Sequence, residues 1–305
     1  MLILGLLGVA GVVGLAVTIA VHRRPSRDPA APRLASSEIH ATVDRHPRLR
    51  AHLRSRFDPA AATGLALTSA VLIFVAAATV IGVLAAMART NGGLAQYDPS
   101  IASWAARHNT TSSTPILRFI SQFGGALVVI PLGIVVALIE SLRLRSRSVW
   151  AFLLLVVGGQ FLLANTIKFF VARARPTVDQ LTGFSGKSFP SGHATAAAAT
   201  YAGFALLFGI HRSLNTKAIC AGTAAALAVL IAGTRVLLGV HWLTDVIAGL
   251  ILGWAWFAVC SIAFGGRFLR FGAPVEIAEQ AASQQPVAAT ASPPTVPKGR
   301  PRERS

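Results

Sequence analysis

The chain has 305 residues, of which 53% are hydrophobic and only 13% are charged. This composition is too apolar for an ordinary soluble protein, and several apolar runs reach the roughly 20 residues that a bilayer-spanning helix requires. The formal charge of +17 would suit a nucleic-acid-binding protein. However, the arginines cluster beside the apolar runs, as the positive-inside rule predicts. We therefore expect an all-α polytopic membrane protein that does not bind nucleic acid.

The first apolar run, residues 1–21, is followed by the basic sequence His22-Arg23-Arg24. It lacks the positive n-region of a secretory signal, so we predict a transmembrane helix, with a cleaved signal peptide as the alternative. Residues 22–60 are rich in arginine and proline. We expect this stretch to be a cytoplasmic segment whose main effect is on topology, with attraction to anionic lipid as a further possibility.

Six further apolar runs predict a transmembrane core at residues 61–265. The predicted helices cover residues 61–87, 124–142, 150–170, 194–210, 218–234 and 243–264. The polar segment between the first two runs predicts a short interfacial helix on the outer face. Arginine or lysine follows each predicted cytoplasmic end, which fixes the orientation. Residues 266–305, rich in Ala, Pro, Gln and Ser, predict a disordered cytoplasmic tail.

The two cysteines, Cys220 and Cys260, lie inside apolar runs. We expect them to be small packing residues, with no disulfide and no metal site.

Three polar motifs interrupt the apolar sequence, and all of them fall on the predicted outer side. They are Lys168 with Arg175 and Pro176, then Pro190-Ser191-Gly192-His193, and finally Arg235 with His241 and Asp245. Basic residues are uncommon on that side of a membrane protein. Three of them therefore need a local reason, and an anionic ligand such as a phosphate supplies one.

The first motif places two cations near each other. Lys168 and Arg175 are seven residues apart, about two helical turns, so they share a face if the helix continues to Pro176. Arginine suits forked contacts with phosphate oxygens, and lysine acts as a point charge. The simpler alternatives are snorkelling for Lys168 and a lipid-headgroup contact for Arg175.

The second motif precedes an apolar helix. Ser191 can cap that helix, and Gly192 lets a ligand approach the exposed backbone N–H groups, which favour anions. An ordinary helix cap would explain these two residues equally well. His193 is harder to explain in that way, because an imidazole at a helix N-terminus could donate a proton to a leaving oxygen.

The third motif pairs a histidine with an acid. His241 and Asp245 are four residues apart, so on a helix the carboxylate lies one turn from the imidazole. A carboxylate bonded to one ring nitrogen fixes the tautomer and leaves the other nitrogen free to attack phosphorus. An isolated His–Asp pair at the interface is the alternative. Acids near membrane helices are costly and usually have a partner, which favours the functional interpretation.

Together the motifs resemble those of the type 2 phosphatidic acid phosphatase (PAP2) superfamily, membrane lipid phosphatases whose core is shared with vanadium haloperoxidases. The matching order is Lys–six residues–Arg–Pro, then Pro–Ser–Gly–His, then Arg–five residues–His–three residues–Asp. The resemblance implies the family's six-helix fold for the core. One departure is Thr234, where the family usually has serine before the third-motif arginine. Threonine keeps the hydroxyl group.

The resemblance also implies a role for each motif residue. His241 would be the nucleophile that forms a phosphohistidine, Asp245 would orient it, and His193 would be the general acid. The residues implied in phosphate binding are Lys168, Arg175, Ser191, Gly192 and Arg235. The family needs no metal or other cofactor, so none is expected here.

We therefore expect a plasma-membrane phosphatase with its active site on the extracytoplasmic side. Polyprenyl diphosphate is the preferred substrate, and phosphatidic acid and phosphatidylglycerol phosphate are also reasonable. A haloperoxidase is disfavoured because the core is embedded in the membrane. The alternative from another class is a non-catalytic protein that binds or transports a lipid phosphate. The sequence does not predict the lipid tail or the oligomeric state.

Overall fold

A computed structural model describes residues 2–23, 59–178, 180–183 and 186–270 of the chain. Most of the predicted basic segment (residues 22–60) and of the predicted tail (residues 266–305) lies outside these ranges, as does Asp179. The described part of residues 1–266 forms one compact unit, and all the contacts described below lie within it.

Every regular element in these ranges is helical. We number the α-helices α1 (Leu2–His22), α2 (Pro59–Thr90), α3 (Asp98–His108), α4 (Ser113–Gln122), α5 (Ala126–Arg143), α6 (Ser148–Val171), α7 (Gly192–Gly209), α8 (Leu214–Leu237) and α9 (Leu243–Arg270). A short 3-10 helix, Gly93–Tyr97, precedes α3, and α6 contains one π-helical segment, Leu154–Gly158.

Six of these helices are long and apolar enough to cross a membrane: α1, α2, α5, α6, α8 and α9. The predicted core helix that is missing from this set is α7, an 18-residue helix rich in alanine and threonine. Most of its residues are buried against neighbouring helices, so it does not need large apolar side chains facing lipid. With α7, the bundle contains the six predicted core helices and the extra N-terminal helix, which confirms the predicted fold class.

The polar segment between α2 and α5 differs from the prediction. We expected one short interfacial helix there, and the structure has α3 and α4 as well as the 3-10 turn. Pro99 lies in the first turn of α3, where its missing N–H costs nothing, and Asp98 favours the same helix end. In α4, Leu117 is fully buried while Phe119 is 65% exposed, as expected for an amphipathic helix at an interface.

Small residues let α9 approach α7 closely. Gly249 and Gly253 are one turn apart on α9. A Cβ atom at Gly249 would lie 2.6 Å from the carbonyl oxygen of Ser191, and one at Gly253 would lie 2.4 Å from that of Thr195. This is the close helix crossing that small residues at a spacing of four allow in membranes. It holds the N-terminal ends of α7 and α9 side by side.

The N-terminal helix packs along α8. Near its first residues, Leu2 joins a buried cluster with Leu117, Leu237, Leu238 and Val240. The helix therefore lies against the element that carries Arg235, close to the loop that leads to His241.

We expect the α7–α9 contact to be sensitive to added side-chain volume. The change Gly253→Val should lower the apparent Tm of the detergent-solubilised protein by about 5 °C or more, because overpacking costs about 1–3 kcal/mol. Gly82→Val on α2 is the matched control, since a Cβ atom there meets nothing within 4 Å. Equal shifts of Tm for both variants, measured by thermal unfolding, would contradict the close-contact interpretation.

Candidate active site

A cavity of about 350 Å³ opens at the end of the bundle where α6 and α8 end and where α7 and α9 begin. It is lined by Lys168, Arg175, Gly183, Gly192, His193, Arg235 and His241. The structure thus brings the three sequence motifs together around one space. The two remaining candidate residues, Ser191 and Asp245, are buried beside this lining.

The first motif reaches the cavity differently from the prediction. Helix α6 ends at Val171 because Ala172 adopts a left-handed conformation with φ of 51°, so Arg175 lies beyond the helix. The condition for a shared helix face, a helix that continues to Pro176, is therefore not met. They converge because both donate to the carbonyl oxygen of Lys187 at 3.3 Å, Lys168 through Nζ and Arg175 through Nη2.

The second motif begins α7. Ser191 occupies the N-cap position, but its hydroxyl makes no side-chain capping bond, contrary to the predicted cap. Its Oγ atom is buried and has no hydrogen-bond partner among the described residues. The Nε atom of Arg235 is also buried and has no hydrogen-bond partner among the described residues. The Nη1 atom of Arg235 donates to Ser121 Oγ at 2.7 Å. Buried polar atoms of this kind are uncommon and need a ligand or water to satisfy them.

The third motif also departs from the predicted helix geometry. Helix α9 begins at Leu243, so His241 precedes it and lies after the turn at Gly239. The predicted pairing is present nevertheless, with Nδ1 of His241 3.5 Å from Oδ2 of Asp245. On the other side of the ring, Arg175 Nη1 lies 3.1 Å from Nε2. A neutral imidazole protonated at Nδ1 fits both contacts, because Nε2 then carries the lone pair.

The electrostatics of His241 favour the neutral ring. Burial lowers the pKa of His241 from 6.5 to about 4. The hydrogen bond and negative charge of Asp245 oppose this shift, and the positive charges of Arg175 and Arg235 reinforce it. Near neutral pH Nε2 is therefore unprotonated and carries its lone pair, which is the form that can attack an electrophile.

His193 lies against the turn that joins α4 to α5. A Cβ atom at Gly124 would be 2.9 Å from the carbonyl oxygen of His193, and one at Gly125 would be 3.4 Å from its Nε2. The hydroxyl of Tyr201 donates to the carbonyl oxygen of Phe123 at 2.9 Å and anchors this turn. The turn thus forms one wall beside the candidate general acid.

Four residues that sequence reasoning missed contact the site from behind: Asp98, Ser121, Arg173 and Ser188. Arg173 lies inside the first motif, between Lys168 and Arg175, and Ser188 lies two residues before Pro190, so their proximity to the site could have been noticed. Asp98 and Ser121 belong to the interfacial segment, and no local pattern connects them with the motifs. Among the residues that the structure describes, no group of three or more His, Cys, Asp or Glu side chains could hold a metal ion.

The fold and the site define a multi-pass membrane protein with a cavity lined by cations at one end of a helical bundle. Residues 149–268 match the family model of the PAP2 superfamily. This stretch carries all three motifs, and the match confirms the resemblance to that superfamily that the sequence motifs indicated. The match begins at α6, so α1 to α5 lie outside it.

Known proteins agree with this assignment. The chain is 36% identical over 138 residues to proteins named lipid A 1-phosphatase from Rhizobium etli and Rhizobium johnstonii. The match covers 40% of this chain and 55% and 52% of those relatives, so the chain spans about half of their length. A crystal structure of a transmembrane PAP2-type phosphatidylglycerolphosphate phosphatase from Bacillus subtilis has 28% identity and a TM-score of 0.58. That match covers 63% of this chain and 96% of the solved chain.

We expect the cavity to bind inorganic phosphate through its cations. Arg235→Gln should weaken phosphate binding about 10-fold or more, because a hydrogen bond to a charged group contributes about 1.5–3 kcal/mol. The control is Arg107→Gln, which changes an exposed arginine of α3 outside the cavity. Isothermal titration calorimetry of the detergent-solubilised variants measures both affinities. Unchanged binding in the Arg235 variant would contradict an anion site here.

Proposed function

We propose that the chain is an integral-membrane phosphatase that hydrolyses a lipid phosphate or lipid diphosphate through a phosphohistidine intermediate. One observation carries this proposal. A buried histidine, His241, lines a cationic cavity, with Asp245 beside Nδ1 and with Nε2 next to Arg175. Binding alone requires neither an oriented nucleophile nor the second histidine, His193, that lines the same cavity.

In the first step the cavity residues hold the phosphoryl group. Lys168, Arg175 and Arg235 neutralise its oxygens, and the N-terminal end of α7 offers N–H donors and the free hydroxyl of Ser191. Gly192 keeps this helix end open, and a Cβ atom there would already lie 3.8 Å from Lys168 Nζ. The groups that bind the phosphate therefore surround it on several sides, as transition-state stabilisation requires.

The chemistry then proceeds by two displacements. Nε2 of His241 forms a bond to phosphorus while the bond from phosphorus to the lipid oxygen breaks. His193, which is protonated when the negative charge of the bound phosphate offsets the cavity cations, donates its proton to that oxygen. Water next attacks the phosphohistidine, His193 accepts a proton from it, and the phosphorus–nitrogen bond breaks to release inorganic phosphate. Asp245 keeps the Nδ1 proton in place throughout, so the tautomer is the same in both steps.

The substrate is a lipid whose phosphate reaches the membrane surface. Polyprenyl diphosphate, phosphatidic acid and phosphatidylglycerol phosphate remain candidates from the sequence, and the relatives named lipid A 1-phosphatase add a glycolipid phosphate. The similarity to these relatives favours the glycolipid phosphate. The basic residues between α5 and α6, Arg143, Arg145 and Arg147, are at the opposite end of the bundle. By the positive-inside rule, this arrangement supports an extracytoplasmic active site.

The first test is phosphate release from detergent-solubilised protein in the presence of a chelator. The lipid panel holds the four candidate substrates, and the variants are His241→Ala and His108→Ala. His108 is an exposed histidine that stacks on Trp104 outside the cavity, so its loss should leave activity unchanged. Loss of His241 should lower kcat by about 1,000-fold or more, since a nucleophile has no substitute.

Phosphate binding without release from any lipid would overturn the proposal in favour of a non-catalytic binding or transport protein. Release that persists in the His241 variant would overturn the phosphohistidine mechanism while leaving a phosphatase. The same panel ranks the substrates.

The lowered pKa of His241 also predicts the acid side of the pH–rate profile. Protonation removes the lone pair of Nε2, and with a pKa of about 4 this occurs only well below the ordinary value of 6.5. The value of kcat/KM, corrected for titration of the substrate phosphate, should therefore hold down to about pH 5 and fall below that. An acid limb near pH 6.5 would contradict a buried neutral nucleophile.

A further inference from the structure

A buried charged network lies directly behind His241, and of its members only Asp245 has a role in the two displacements. It consists of Asp98, Arg173, Thr244 and Asp245. Asp98 is 2% exposed, Asp245 is 0% exposed, and the side chain of Arg173 is 10% exposed. Burying two carboxylates and a guanidinium is costly unless each group is paired, so these contacts require an explanation.

The two oxygens of Asp245 have separate partners. Oδ2 lies 3.5 Å from Nδ1 of His241, and it accepts hydrogen bonds from the backbone N–H of Trp242 at 3.0 Å and from the hydroxyl of Ser188. Oδ1 accepts from Arg173 Nη1 at 2.7 Å. Because Arg173 holds Oδ1, the carboxylate cannot rotate about its χ2 torsion without losing a charged contact. Oδ2 is thereby kept towards the imidazole.

Arg173 is itself held by a second acid. Its Nη2 atom lies 2.8 Å from Oδ2 of Asp98, and its Nη1 atom also donates to Thr244 Oγ1 at 2.7 Å. The guanidinium carbon lies 5.3 Å from the ring centroid of Trp242. Arg173 is therefore fixed by two carboxylates, one hydroxyl and one aromatic ring. Its planar fork suits two acids at once, which a lysine could not match.

Asp98 connects the interfacial helix α3 to the first turn of α9. Its Oδ1 atom accepts the backbone N–H of Thr244 at 3.1 Å, across 146 residues of sequence. That N–H belongs to the first turn of α9 and has no acceptor within the helix, so Asp98 acts as a cap supplied by another segment. The same carboxylate thus caps the helix that begins beside His241 and neutralises Arg173.

We propose that Arg173 and Asp98 are positioning residues, which act through Asp245 to fix the orientation and charge of His241. Arg173 sets the rotation of the Asp245 carboxylate, and Asp98 holds Arg173 and the start of α9. The consequence for catalysis rests on the proposed function. The effect on His241 itself does not depend on that function, and it can be measured without a substrate.

The two charges have opposite effects on the imidazole. The charged or titratable groups around His241 are Asp245 on α9, Arg173 and Arg175 after α6, Lys168 on α6, Arg235 on α8 and His193 on α7. Removing the positive charge of Arg173 leaves Asp245 less compensated, which favours the protonated ring. Removing the negative charge of Asp98 leaves the positive charge of Arg173 less neutralised, which disfavours the protonated imidazole of His241.

The experiment is a pH titration of His241 in ¹⁵N-histidine-labelled protein in detergent, with the signal assigned through the loss seen in His241→Gln. Arg173→Gln should raise the pKa of His241 by about one unit, as expected for one charge at roughly 8–10 Å with an effective dielectric constant near 20. Asp98→Asn should lower it by a smaller amount, about half a unit.

The matched control is Glu140→Gln. Glu140 is also a buried acid paired with an arginine, Arg143, but this pair lies at the opposite end of the bundle. The Glu140→Gln change should leave the pKa of His241 unchanged. Shifts of opposite sign in the two test variants support the proposal. No shift, or shifts of the same sign, would overturn it, because a general loss of packing has no reason to separate the two signs.

Kinetics give the second readout. Both variants should lower kcat by about 10- to 100-fold, because a misplacement of about 1 Å at a reacting group can cost about 100-fold, and should change KM by less than about threefold. The double variant should lose less activity than the product of the two single losses, because the second change removes a charge already left unpaired. A dominant effect on KM, or independent losses, would overturn the positioning role.

The readouts also separate this proposal from the proposed function. If the wild-type protein releases no phosphate, the phosphatase assignment fails, and the titration still decides whether Arg173 and Asp98 control His241. If phosphate is released but the titration does not respond, only the positioning role fails.

Discussion

The buried carboxylate of Asp245 is the group on which the rest of the site depends. A charge at a membrane helix end is costly, and here it is offset by Arg173, by the hydroxyl of Ser188 and by the N–H of Trp242. Arg173 and Ser188 belong to the segment before α7, and Trp242 belongs to the segment between α8 and α9. Their hydrogen bonds to Asp245 therefore fix both segments to the start of α9. The carboxylate thereby combines a helix-capping contact, the closure of two loops and the orientation of His241.

The cavity itself carries an excess of positive charge. Lys168, Arg175 and Arg235 all line the same space, where backbone carbonyls accept hydrogen bonds from Lys168 and Arg175 and the negative charge of Asp245 offsets part of the mutual repulsion. An anionic group in the cavity would relieve that repulsion and would also satisfy the unpaired atoms of Ser191 and Arg235. The cations that repel one another in the cavity are therefore the groups that would bind a phosphate and stabilise its transition state.

Small residues determine how closely the helices beside the cavity approach each other. Gly249 and Gly253 bring α9 against α7, and the N–H of Ser191 donates to the carbonyl oxygen of Asp245 at 3.0 Å. His193 and Asp245 are thus carried on neighbouring helix ends whose separation is fixed by backbone contact. The packing of the bundle therefore also determines the geometry of the site, because a helix shift that relieved crowding would move His193 and Asp245 as well.

The sequence by itself determined the helices and the motifs, since both are local signals. Apolar run length defined the spanning helices, and the three motifs identified eight cavity or cavity-wall residues without any knowledge of the fold. The tertiary structure decided how they meet. Lys168 and Arg175 converge through a left-handed turn at Ala172, which no helical spacing predicts. Asp98 and Ser121 join the site from α3 and α4 over more than 100 residues, a contact set by packing between helices and not by any nearby pattern.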